Sequence, residues 1–272
     1  MDEDKDKDIY GLVGRSIQHS LSPVIHNSLF TQHEIDAEYR LFDVDELSTF
    51  MKGVRDDTSR IQGLNITKPY KIEAMDFLDE MGQEVEMIGS SNTISITDGM
   101  IEGFNTDGVG AKRTLSRFTD IENKRILQLG AGGAGKAVAY ELVKTSDVTV
   151  LNRTLEKARS LEKFGVKVER LSREVLKRES KTANILINTT SVGMDDNRSL
   201  VDPEFIREDM TVFDIVYSPL ETKLLKDANM TGCQTIDGLW MLIYQAAQAF
   251  QIWTGIEPDP AHIRKIIMEE IS

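Results

Sequence analysis

The sequence predicts an α/β protein with largely parallel sheets. Three observations predict it. Short, β-branched apolar runs alternate with longer segments of helical periodicity. One such run, Arg125 to Leu129, ends in glycines and opens onto a helical pattern. The chain has 272 residues, enough for one large domain or two modest ones.

In the N-terminal part, Ile9 to Val13 reads as a strand and Pro23 to about Gln32 as a helix. Pro23 suits a first helical turn, with Ser22 as its N-cap. Ala37 to Phe42 reads as a strand, Asp45 to Arg55 as a helix, and Ile61 to Ile66 as a strand. Lys71 to Met81 reads as a helix and Asn92 to Thr97 as a strand. The second part repeats a strand–helix rhythm, with strands at Arg125 to Leu129, Val148 to Leu151, Val166 to Val168, Asn184 to Ile187, Thr211 to Ile215 and Cys233 to Ile236. That is the order of a doubly wound nucleotide-binding sheet. Leu239 to Trp253 is helical again, and a last helix follows Pro260. Loops near Gly108 and Gly238 are the expected boundaries.

Composition bounds the function. The formal net charge is −13, which opposes a phosphate backbone or an anionic membrane surface, so no nucleic-acid or membrane partner is expected. Residues 1–8 carry five acids and two lysines and read as a solvated, disordered acidic tail. The one cysteine, Cys233, excludes an internal disulfide framework and a thiolate metal cluster, so no metal is expected. The longest apolar run, Leu239 to Tyr244, falls far below the roughly 20 residues of a membrane span. No basic-then-apolar leader precedes residue 9, and the expectation is a cytoplasmic protein.

Gly130-Ala131-Gly132-Gly133-Ala134-Gly135 has the spacing Gly-x-Gly-x-x-Gly between a predicted strand and a predicted helix. Gly130 permits the tight turn, Gly132 a close approach of backbone to pyrophosphate, and Gly135 close helix–strand packing. Helix-start amides then meet the phosphate charge. A glycine-rich turn without a ligand is the alternative. An NAD site usually places a carboxylate about 20 residues after the first glycine, on the ribose 2′-hydroxyl. Here that place holds Asn152-Arg153-Thr154, with Lys157 one helical turn beyond Arg153. The pattern favours NADP, whose 2′-phosphate an arginine accommodates; a merely solvated Arg153 is the other reading.

Four polar segments punctuate the N-terminal part. His19-Ser20-Leu21-Ser22-Pro23 with His26-Asn27 offers two alternating hydroxyls near a helix start, fit to hold a carboxylate or simply to cap. Asn65-Ile66-Thr67-Lys68-Pro69-Tyr70-Lys71 leaves a strand at its carboxyl end, where ligands bind in open α/β sheets. Lys71 falls at the predicted helix start, where a cation opposes the dipole. Gly89-Ser90-Ser91-Asn92-Thr93 and Asn105-Thr106-Asp107-Gly108 read individually as Asx-turns.

Taken in order, these segments and the glycine loop resemble the shikimate dehydrogenase family. The likeness continues through Asn188-Thr189-Thr190-Ser191-Val192-Gly193-Met194, Asp214-Ile215-Val216-Tyr217-Ser218-Pro219 and Gly238-Leu239-Trp240-Met241-Leu242 to Gln245. It implies two α/β domains facing each other across a cleft. Residues 9–107 would form a substrate-binding catalytic domain joined by the C-terminal helices 239–272, and 108–238 a Rossmann-like NADP domain. It implies reversible NADPH-dependent reduction of 3-dehydroshikimate to shikimate. Lys71 and Asp107 would be the catalytic pair. Ser20, Ser22 and Tyr217 would hold the substrate carboxylate, with Thr67, Asn92 and Gln245 around the ring hydroxyls and Asn65 in support. The cofactor would lie on Gly130 to Gly135, Asn152, Arg153, Thr154, Lys157, Thr190 and Gly238.

The chemistry agrees. Hydride transfer to a ketone leaves an alkoxide that needs a proton, and no histidine sits in a plainly catalytic setting. A lysine can serve as acid–base group or as an electrostatic and positioning group. The family often has Asn-Pro where this chain has Arg15-Ser16, and Ala-Val where it has Ser90-Ser91. Two other readings are a quinate/shikimate dehydrogenase with relaxed cofactor use and a non-catalytic NADP-binding module. A monomer or homodimer is expected.

Overall fold

A computed structural model describes residues 7–55 and 60–271. Residues 1–6 of the expected tail lie outside that range, and Asp8, also assigned to the tail, is the first residue of a strand. The chain divides into two compact units, one running to Thr106 and resuming at Gln245, the other spanning Asp107–Tyr244.

The first unit is built on β1 (Asp8–Gly14), β2 (Ala37–Asp43), β3 (Ile61–Ile66), β4 (Glu80–Met81), β5 (Thr93–Thr97) and β6 (Met100–Phe104), in the sheet order β2-β1-β3-β5-β6-β4. β1 pairs in parallel with β2 and β3, but β5 runs antiparallel to both β3 and β6. The sheet is therefore mixed rather than parallel. The cause is local. Asp98 (φ 51°) and Gly99 (φ 77°) are both left-handed, the two-residue turn that joins antiparallel strands. Helices α1 (Ser22–Gln32), α2 (Leu47–Val54) and α3 (Gln83–Ile88) flank the strands. Leu47, Met51 and Val54 of α2 recur at helical spacing and pack with Val13, Leu64 and Ile94 of the sheet.

Two expectations fail here. Lys71 to Met81 is not an α-helix. It holds a single 3-10 turn, Glu73–Phe77, burying only Ala74, and then the edge strand β4. Asp79 ends the turn by accepting from the Ile101 N–H at 2.9 Å and from the Arg55 guanidinium at 3.0 Å, contacts distant in sequence. The helix-dipole argument for Lys71 falls with that helix. Ser22 is not the N-cap of α1 but its first residue. Leu21, already helical at φ −80° and ψ −5°, takes the cap position. The Ser22 N–H is instead accepted by the Ser20 hydroxyl at 3.2 Å.

The second unit carries β7 (Arg125–Leu129), β8 (Asp147–Asn152), β9 (Lys167–Arg170), β10 (Ile185–Asn188), β11 (Thr211–Asp214) and β12 (Gln234–Ile236), all parallel, in the order β12-β11-β10-β7-β8-β9. The order reverses direction at β7, making the gap between β7 and β10 the switch point where ligands bind in such sheets. Helices α4 (Asp107–Phe118), α5 (Gly133–Leu142), α6 (Leu155–Ala158), α7 (Arg173–Ser180) and α8 (Lys223–Met230) belong to this unit. Ser172 and Thr222 cap α7 and α8 by accepting from the N–H three residues on, at 3.3 Å in each case. Leu127, Leu129, Leu186, Val212 and Leu225 are buried in one core cluster.

The unit boundary falls within α9 (Leu239–Thr254), between Tyr244 and Gln245. The far half of α9 belongs to the first unit. There Trp253 donates from Nε1 to the Ile94 carbonyl at 2.9 Å. α10 (Pro260–Glu270), capped by Asp259, packs beside α1. Among the described residues no helix is long and apolar enough to cross a membrane.

Candidate active site

In the first unit the register places the carboxyl ends of β1, β3 and β6 and the start of β5 at one sheet edge. Val13 lies beside Ile66, Asn65 beside Thr93, and Thr93 beside Phe104. The four polar segments of the sequence emerge there, and hydrogen bonds join the last three of them, with Tyr39, into one chain. The Ser20 hydroxyl donates to Ser22 Oγ at 3.2 Å. The Tyr39 hydroxyl donates to Asn65 Oδ1 at 2.7 Å. Asn65 Nδ2 donates to Thr93 Oγ1 at 3.1 Å, and Thr93 to Asn92 Oδ1 at 3.1 Å. Asn92 Nδ2 reaches Thr106 Oγ1 at 3.0 Å, and Thr106 donates to Gln245 Oε1 at 3.5 Å. Asn92 Oδ1 also accepts the Thr106 N–H at 2.8 Å, which fixes the orientation of its amide.

Lys71 follows β3 on a turn anchored on both sides. The Tyr70 hydroxyl, buried, donates to the Val44 carbonyl at 2.7 Å and accepts from Arg15 at 3.2 Å. The Lys71 carbonyl accepts the Ser91 N–H at 2.8 Å. The two departures from the family pattern thus have structural work: Arg15 braces Tyr70, and the buried Ser91 hydroxyl donates to the carbonyls of Thr93 (3.0 Å) and Phe104 (2.9 Å). Thr67 is half-buried on the same turn, its N–H given to the Val13 carbonyl at 2.9 Å. Asp107, buried, follows Thr106 directly and is the first residue of α4 and of the second unit.

In the second unit Leu129 lies beside Leu151 and Asn188, so the glycine turn, residues 152–154 and Thr189-Thr190 share one edge. Gly130 has φ 102°, and a Cβ there would come within 2.8 Å of Thr190 Cγ2. A Cβ on Gly135 would meet Thr189 Oγ1 at 2.6 Å. Gly132, by contrast, has no atom within 4 Å of a built Cβ, so the middle of the turn is open to a ligand. Gly133 and Ala134 begin α5, whose first N–H groups have no partner within the helix. The turn is clamped from below. Gln128, fully buried on β7, donates to the Gly130 and Gly135 carbonyls at 2.9 and 2.7 Å. Asn152 Oδ1 accepts the Ala131 N–H at 3.1 Å and its Nδ2 donates to the Thr154 carbonyl at 2.7 Å, so Asn152 shapes the loop. Arg153 and Lys157 are exposed at the end of β8 and on α6. An open turn at a helix start, two cations and no carboxylate at 152–154 are the donor set that a 2′-phosphorylated dinucleotide requires.

Beside it, Asp214 is wholly buried and accepts from Asn188 Nδ2 (2.9 Å), Thr222 Oγ1 (2.7 Å) and the Val216 N–H (3.1 Å). Burial pushes its carboxyl up, against those three bonds. Asn188 Oδ1 accepts the Thr190 hydroxyl at 2.7 Å, so Asp214 indirectly fixes Thr190. Tyr217, three residues on, has its hydroxyl pushed up by burial. Gly238 is buried, and a Cβ there would strike the Ile215 carbonyl.

Sequence reasoning missed Tyr39 and Gln128, and quoted Thr93, Thr106 and Asp214 within motifs without giving them a place in these networks. Tyr39 carries no sequence signal beyond strand alternation. Gln128 does, being an amide in an apolar strand directly before the glycine turn.

Comparisons with known proteins agree along nearly the whole chain. Residues 12–94 match the profile of the shikimate dehydrogenase substrate binding domain, 111–216 that of shikimate/quinate 5-dehydrogenase, and 238–268 that of the shikimate 5′-dehydrogenase C-terminal domain. A shikimate dehydrogenase (NADP(+)) of Pyrococcus abyssi is 52% identical over 263 residues, 97% of this chain and 98% of the relative. A crystal structure of a shikimate dehydrogenase in complex with NADP+ superposes with a TM-score of 0.91 at 40% identity, covering 98% of this chain and 96% of that one. The shikimate 5-dehydrogenase of Thermus thermophilus in complex with NADP(H) and shikimate gives a TM-score of 0.88 at 33% identity, over 96% and 98%.

Proposed function

The chain belongs to the shikimate dehydrogenase family, and we propose that it catalyses the reversible NADPH-dependent reduction of 3-dehydroshikimate to shikimate. The observation that carries the reading is the gathering of Ser20, Ser22, Asn65, Thr67, Lys71 and Asn92 at one sheet edge of the first unit. On this reading residues 9–107 with the helices of 239–272 form the substrate domain, and 108–238 the NADP domain.

NADPH, when bound, supplies the hydride. Amides at the start of α5, Thr190 and Gly238 hold the dinucleotide, and Arg153 with Lys157 takes the 2′-phosphate. Ser20 and Ser22, with Tyr217, hold the substrate carboxylate as hydroxyl donors to an anion. Thr67, Asn92 and Gln245 orient the ring hydroxyls, and Asn65 braces them. The oxygen of the reduced carbon needs one proton. Lys71 gives it, or holds the developing negative charge while water does, with Asp107 as its partner. The single cysteine suits a reducing compartment, and we place the enzyme in the cytoplasm as a monomer or homodimer.

The test is oxidation of shikimate and of quinate, each with NADP and with NAD, followed by nicotinamide absorbance. Shikimate with NADP gives the highest kcat/KM. Comparable turnover of quinate with NAD assigns the relaxed relative instead, and no turnover of either substrate assigns a binding module.

A further inference from the structure

We propose that Tyr70 is a positioning residue for Lys71: its hydroxyl pins the turn that carries Lys71 to the loops leaving β1 and β2, and Arg15 seconds it. The inference rests on the reading that Lys71 acts at the oxygen of the reduced carbon. Residues 67–72 belong to neither helix nor strand, so no ladder holds Lys71 in place. Of their side chains only Tyr70 is buried, at 3% exposure. Thr67 and Lys71 are half-buried, and Lys68, Pro69 and Ile72 are exposed. The Tyr70 ring joins the core cluster of Val13, Met51 and Ala74, and its hydroxyl reaches back toward the sheet edge.

That hydroxyl sits where three parallel strands end. The chain leaves β1 through Gly14 and Arg15, β2 through Val44 and Asp45, and β3 through Thr67 to Lys71. Tyr70 gives its one proton to the Val44 carbonyl at 2.7 Å, which leaves its oxygen free to accept from the Arg15 guanidinium at 3.2 Å. Arg15 also donates to the Asp45 carbonyl at 2.5 Å and lies over the Tyr70 ring at 5.9 Å from its centroid. One phenol thus ties all three loops. Backbone bonds hold the ends of the turn: Thr67 N–H to the Val13 carbonyl at 2.9 Å, Arg15 N–H to the Lys68 carbonyl at 3.2 Å, and Ser91 N–H to the Lys71 carbonyl at 2.8 Å. Tyr70 is the side-chain pin between those ends, directly before Lys71. Arg15 is exposed, so its bonds compete with water and contribute less than the Val44 bond. A group that passes a proton must stand within about 3 Å of its target, and a displacement of about 1 Å can cost up to about 10²-fold in rate.

Tyr70→Phe keeps the ring in the core and removes only the hydroxyl. The single-turnover rate of NADP reduction by shikimate falls about threefold to thirtyfold, while the KM values of shikimate and NADP stay within about twofold. Arg15→Ala lowers the same rate about twofold to fivefold, and adds little to Tyr70→Phe because it acts through that hydroxyl. In a Lys71→Ala background Tyr70→Phe leaves the residual rate within about twofold. A turn that served stability alone would lower the thermal midpoint and leave the rate unchanged well below it, so midpoints are measured alongside. An unchanged rate in Tyr70→Phe overturns the proposal, whatever its midpoint. So does an equal fall with and without Lys71. Arg15→Ala with a raised shikimate KM and an unchanged rate makes Arg15 a ligand of the substrate carboxylate and overturns its assignment to Tyr70. Failure of the unmodified chain to oxidise shikimate, or of Lys71→Ala to slow it, overturns the functional reading itself, and with it the premise of this inference.

Discussion

His26 makes the stability of this protein depend on pH in a way that one substitution removes. The ring is wholly buried among Tyr39, Phe250 and Trp253, and among the described residues neither ring nitrogen has a hydrogen-bond partner. Burial without a counter-charge lowers its pKa from 6.5 to about 3. The unfolded chain then takes up a proton as pH falls through 6.5, while the folded chain does not until near 3. The stabilisation is therefore complete above about pH 7 and is lost progressively below it. Between pH 7 and pH 5 the loss from this one group is about 2 kcal/mol. With about 2 cal/mol/K of unfolding entropy per residue, that lowers the thermal midpoint by roughly 3 °C if the whole chain unfolds together and by about 7 °C if the first unit unfolds alone. His26→Phe keeps an aromatic ring against Tyr39 and removes the titration. Its absolute midpoint can move either way, because relief of two unpartnered nitrogens opposes the strain of a larger ring. The diagnostic quantity is the drop in midpoint between pH 7 and pH 5, measured by calorimetry on both proteins. The parent drops more than the variant by the amount above. Equal drops in the two proteins refute the assignment of a neutral buried His26.

Three further outcomes follow from the site. Lys71→Ala lowers kcat for shikimate oxidation about 10²- to 10⁴-fold with little change in KM, the mark of a group acting in the transition state; an unchanged kcat removes Lys71 from the mechanism. Arg153→Ala raises the NADPH KM about tenfold or more and leaves the NADH KM nearly unaltered, read by comparing both cofactors. Gln128→Leu strips the Gly130 and Gly135 carbonyls of their shared donor; the NADP KM rises and the shikimate KM does not, with a midpoint loss of about 1–3 kcal/mol equivalent.

The doubly wound sheet was legible because its central strands β7, β10 and β11 are short, largely apolar runs and its diagnostic turn is local. Gly130 to Gly135 lies within six residues, and its strand and helix flank it directly. The first unit was less legible where pairing is distant. β4 is two residues long and exists only because Glu80 and Met81 meet Glu102 and Gly103. β6 was missed although Asp98-Gly99 is a strong hairpin signal, since Met100 to Phe104 holds a glutamate and a glycine among its apolar residues. The same contrast governs the site. Ser20, Lys71 and Asn92 lie in polar segments that interrupt apolar ones and stand out. Tyr39 looks like an ordinary strand residue, and only Asn65, 26 residues away, gives it a role.

The charge of −13 poses the question of how an acidic chain binds an anionic substrate and an anionic cofactor. The two units answer it differently. The chain of hydrogen bonds from Tyr39 to Gln245 contains hydroxyls and amides only, with no ionised member. Hydroxyls and amides bind by direction, so they can distinguish ring hydroxyls by position without competing for counter-ions. Burial pushes the one titratable member, Tyr39, well above its ordinary range, so it remains a donor through alkaline conditions. Charge enters that edge at Lys71 and at Arg15, whose guanidinium donates to the Tyr70 hydroxyl. The second unit keeps the buried carboxyl of Asp214 behind the Asn188 and Thr222 donors, and presents cations, Arg153 and Lys157, at the surface. Exposed cations are screened by salt and buried neutral donors are not. Raising ionic strength therefore weakens NADP binding more than shikimate binding, and parallel salt dependence of the two KM values contradicts this division of labour.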